Sequence, residues 1–132
     1  MAVQLELQSA PALRLSPECL VYTGTARLFR TGVVMIQSSG APGEQFGFFL
    51  PDVPPLTEHA AEPGLWAEVS LMTAIATSTS GSFPFGVEKV HAAYVPDPRG
   101  GGNRWLNLSG TAHIGREIRI GYRVTVQTAG DR

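Results

Sequence analysis

Between Glu117 and Gln127 the chain alternates without a break. Ile118, Ile120, Tyr122, Val124 and Val126 are apolar, and the positions between them are polar or glycine. On a helix of 3.6-residue period those five side chains would be scattered around the cylinder, whereas on a strand they share one face. The segment is therefore a half-buried strand, and the fold must supply a sheet to hold it.

The same pattern recurs upstream. Leu106, Leu108, Gly110, Ala112 and Ile114 alternate with Trp105, Asn107, Ser109, Thr111 and His113, and Gly115-Arg116 is placed to turn the chain into a C-terminal hairpin. Val87 to Val95 is a third strand, joined to the second through Pro96-Asp97-Pro98-Arg99-Gly100-Gly101-Gly102-Asn103, which reads as a mobile surface loop. Shorter apolar runs mark strands at Val3 to Leu7, Leu20 to Phe29, Val33 to Gln37, Phe46 to Leu50 and Leu65 to Ile75. In the last of these, β-branched Thr73, Thr77 and Thr79 favour strand over helix. A helical turn or two is expected only within Thr57 to Glu62, after Pro54-Pro55 and before Pro63-Gly64. About eight short strands with Gly, Pro and Ser between them predict one all-β domain over residues 1–132, an antiparallel β-sandwich, with a closed antiparallel barrel as the alternative.

A chain of 132 residues has the length of one domain. Folding should hide roughly two thirds of its unfolded surface, enough for a core without disulfide or metal. Cys19 is the single cysteine and cannot form an internal bridge. Ten basic and eleven acidic side chains give a formal charge of -1, so no global field recruits nucleic acid. No apolar stretch approaches a membrane span, and the N-terminal residues lack the pattern of a signal peptide, so a cytoplasmic or virion-associated protein is expected.

Reactive constellations are scarce. Glu58-His59-Ala60-Ala61-Glu62 is the densest cluster of proton donors, but it lacks the two histidines of H-E-x-x-H and reads as a solvated connection. There is no G-x-S-x-G elbow, and Gly100-Gly101-Gly102 lacks the lysine of a phosphate-binding loop. Cys19, beside Leu20 and Val21, reads as a small buried hydrophobe. No catalytic residue, metal site or cofactor is assigned. Gly81-Ser82-Phe83-Pro84-Phe85-Gly86 reads as a tight turn, with a cis peptide before Pro84 as one option, whose rings either anchor the core or mark a contact surface.

A candidate binding face lies on the outer side of the expected hairpin. With Leu106, Leu108, Ala112 and Ile114 inward, Trp105, Asn107 and His113 point outward beside Arg119 and Arg123, and the neighbouring strand adds His91 and Lys89. Aromatic, amide and guanidinium groups on a rigid sheet suit a peptide, a sugar or another subunit. The run Ile120-Gly121-Tyr122-Arg123-Val124-Thr125-Val126 resembles the strands of many β-sandwich modules, including phage and other assembly components, a likeness of architecture only. The leading expectation is a non-enzymatic interaction or assembly module that associates with itself or with a protein partner. The alternatives are a small-ligand barrel or enzyme with His59, Glu62 or His91 in a pocket, and a carbohydrate-binding module centred on Trp105.

Overall fold

The computed structural model describes residues 4–29, 44–75, 86–114 and 117–128. Eight strands form within them: β1 (Gln4–Ser9), β2 (Leu13–Ser16), β3 (Cys19–Phe29), β4 (Glu44–Phe49), β5 (Gly64–Ile75), β6 (Gly86–Pro96), β7 (Arg104–His113) and β8 (Glu117–Gln127). They make two antiparallel sheets. The larger has the order β1-β3-β8-β5, with β2 also paired to β3, and the smaller has the order β4-β7-β6. β1 and β2 share β3, β1 along Gly24 to Phe29 and β2 along Cys19 to Val21.

The sheets pack face to face as a sandwich and do not close into a barrel. Alternation explains the core. β8 contributes Ile118, Ile120, Tyr122, Val124 and Val126, β3 contributes Tyr22, Ala26 and Leu28, and the smaller sheet answers with Phe46, Phe48, Tyr94, Leu106, Leu108 and Ala112. Phe48 and Tyr122 meet across the sandwich, their rings 5.4 Å apart and tilted by 60°. Gly24 lies opposite Tyr122 on the core face of β3, and any side chain there would collide with the Tyr122 phenol and the Gln8 carbonyl. The glycine is a packing requirement, because the phenol occupies the space a Cβ would need.

Two expectations change. β7 and β8 do not form a hairpin: β8 lies between β3 and β5, and β7 between β4 and β6 in the other sheet. Each of the two strands has two flanking partners in its own sheet, and their apolar faces meet the core from opposite layers. Thr57 to Glu62 holds a turn, closed by Ala60 N–H to the Thr57 carbonyl at 3.2 Å, and no helix. Arg104 takes the carbonyls of Thr57 and Ala60 at 3.0 and 2.6 Å, fixing that turn from outside. The surface loop after β6 is closed by backbone hydrogen bonds. Asp97 N–H donates to the Asn103 carbonyl, and Gly100 N–H to the Asp97 carbonyl. Gly100, Gly101 and Gly102 all have positive φ, which is why three glycines stand in a row there.

β2 was not anticipated, since Leu13-Arg14-Leu15 is too short to show a period. The strand expected at Val33 to Gln37 and the Phe83-Pro84-Phe85 turn lie outside the described residues. No helix among the described residues is long and apolar enough to cross a membrane.

Candidate binding surfaces

On the outer face of the smaller sheet, the pleat turns Trp105, Asn107, Ser109, Thr111 and His113 away from the core, as the alternation requires. Much of this face is satisfied by its own cross-strand pairs. His113 Nε2 lies 3.0 Å from Glu88 Oε1, His91 Nδ1 lies 3.4 Å from Ser109 Oγ, and Gln45 donates to Thr111 Oγ1 at 3.2 Å. The His113 ring holds the Glu88 carboxyl below the usual carboxylate range. The edge strand β6 carries a bulge between Glu88 and His91, with Lys89 at φ 55, a device that twists an edge away from further pairing.

The expected grouping of Trp105, Asn107, His113 and His91 with Arg119 and Arg123 does not form. The first four lie outward on the smaller sheet, whereas the two arginines lie outward on β8 of the larger sheet, on the opposite side of the sandwich. The mistaken pairing of β7 with β8 is the whole cause.

At the Trp105 end of the smaller sheet a cleft of about 450 Å³ opens between the segment after β4 and the β6–β7 loop. Phe49 and Trp105 supply its rings, and Asp52, Asp97, Pro98 and Arg99 its rim. Trp105 Nε1 donates to Asp97 Oδ2 at 3.3 Å, and Asp97 Oδ1 accepts the Arg99 backbone N–H at 2.9 Å. These bonds tie the indole to the loop and, with the Arg99 guanidinium 3.6 Å away, hold the Asp97 carboxyl below its usual range, the backbone bond contributing most. Asp52, at φ 66, is exposed and makes no hydrogen bond or ion pair among the described residues.

The outer face of the larger sheet has a different character. At one end Arg27 bridges Glu6 and Glu117, each at 2.6 Å, and lies 4.0 Å over the Phe29 ring. In the middle Arg123 stands opposite Glu68 and Thr23. At the other end a row crosses four strands: Leu13 is in register with Val21, Val21 with Thr125, and Thr125 with Trp66. Val21 is buried although it lies outside the core cluster, while Leu13 and Trp66 are both 58% exposed. Leu15, on the same short strand as Leu13, is also exposed, whereas the exposed Met72 stands apart beside Gly121, with Glu68 and Ser70 between it and Trp66. Reasoning from sequence missed the row. Trp66 alternates correctly with Leu65 and Ala67, but its lateral neighbours are set by pairings that no local pattern reveals.

His59, Glu62 and His91 do not share a pocket. Glu62 lines a hollow at one end of the sandwich beside Tyr22 and Tyr94, whose phenols are raised by burial, and it pairs with Arg104 at 3.2 Å. His59 is exposed on the turn, and His91 lies on the outer face with Ser109. Among the described residues no three His, Cys, Asp or Glu side chains are grouped to hold a metal ion. No protein-family model, curated protein or solved structure matches the chain.

Proposed function

We infer that this chain is a non-enzymatic interaction module that associates with a second copy of itself through the outer face of the larger sheet. The observation that carries this reading is the row Leu13, Val21, Thr125 and Trp66 on the outer face of the larger sheet, with Leu13 and Trp66 each 58% exposed at its ends. Exposed large apolar side chains on a sheet face with polar neighbours are a usual mark of a protein contact, and tryptophan is prominent among residues that dominate binding energy. The rim carries both signs, with Arg123 opposite Glu68, so a two-fold arrangement can set each sign against its opposite.

Light scattering across a concentration series tests this. The wild type should form dimers, and Leu13→Lys with Trp66→Lys should weaken association at least tenfold while leaving the thermal midpoint close to wild type, since both positions are already wet. A wild type that stays monomeric up to about 1 mM, the limit of a meaningful interface, would refute the reading.

A further inference from the structure

We propose that the cleft between Phe49 and Trp105 is a binding site for an uncharged saccharide, separate from the association face on the opposite side of the sandwich. A sugar ring has an apolar C–H face and an equatorial fringe of hydroxyls that both donate and accept. The cleft offers the complement of each. Phe49 is 43% exposed on the outer side of β4, and Trp105 is half-buried with its indole N–H fixed on Asp97, so aromatic surface is presented without a rotamer to be ordered on binding. Around it stand an exposed carboxylate, Asp52, which can accept from two hydroxyls, and the Arg99 guanidinium, 90% exposed, which can donate to two.

Charge narrows the class. Asp52 and Asp97 oppose an anion, and Arg99 opposes a cation, whereas neutral hydroxyls satisfy all three. The volume, about 450 Å³, falls within the roughly 300–1,000 Å³ of small-ligand sites. The rim is prepared in advance. The Asp97 bonds and the positive-φ glycines set the loop, and Asp52 occupies a left-handed backbone position that aspartate tolerates better than most residues.

The test is an array of immobilised neutral, sialylated and sulfated glycans probed with the full chain. It is followed by titration of the best neutral glycan against the Trp66→Phe protein, in which Trp105 is the sole tryptophan. Binding of at least one neutral glycan is expected, with a change in Trp105 emission and a loss of tenfold or more in Trp105→Ala. Asp52→Asn and Arg99→Ala, at exposed positions where folding is unaffected, should each weaken it at least threefold. The proposal falls if no neutral glycan binds, if only sialylated or sulfated glycans bind, or if binding survives both Asp52→Asn and Arg99→Ala.

Discussion

Gly24 and Gly47 both sit inside strands, yet the same substitution should have opposite consequences. At Gly24 an added methyl meets the Tyr122 hydroxyl and a backbone carbonyl, so Gly24→Ala should cost about 1–3 kcal/mol of stability by urea denaturation. At Gly47 the nearest atoms are 3.6 Å away, so Gly47→Ala should be neutral or stabilising by about 0.4–1 kcal/mol through the unfolded chain. Asp97 gives a pH prediction at the same scale. Its carboxyl is depressed below 3.8 in the folded protein, so its contribution is complete above that value and is lost as pH falls through the lower folded pKa. Trp105 emission in the Trp66→Phe protein should therefore hold steady down to about pH 4 and change only below it. The outward direction of Trp105 was legible because a strand's side chains alternate. Its bond to Asp97, eight residues earlier, was not, because the turn that joins them depends on three successive left-handed glycines.

At the level of elements, alternation located seven of the strands within a residue or two, and it separated core from surface along β6, β7 and β8 correctly. It failed on partners. Ile118 to Val126 and Leu106 to Ile114 carry the same inward pattern whether they pair with each other or face each other across a core, so only the assembled molecule distinguishes the two. The stretch from Thr57 to Glu62 was misread for a related reason: its conformation is set by Arg104, more than forty residues away in sequence. The guanidinium reaches Thr57, Ala60 and Glu62 at once, a geometry lysine cannot reproduce. Arg104→Lys should accordingly raise amide exchange at Leu56 and Ala60 at least tenfold, while amides of β3 and β8 keep most of their protection.

For the molecule as a whole, the sandwich separates two surfaces that sequence reasoning had merged. The smaller sheet presents a face largely satisfied by its own cross-strand pairs, with an aromatic cleft at one end, and the larger sheet presents an apolar row at one end and the Arg27 ion pairs at the other. A module that pairs through the larger sheet would leave both copies of the cleft open. Emission from Trp66 as the sole tryptophan, in the Trp105→Phe protein, tests that arrangement most directly when followed by dilution through the association midpoint. The account predicts a red shift on dilution, coincident with the fall in mass by light scattering, as Trp66 leaves the interface for water. Emission that stays constant while the mass halves would place the contact elsewhere and contradict it.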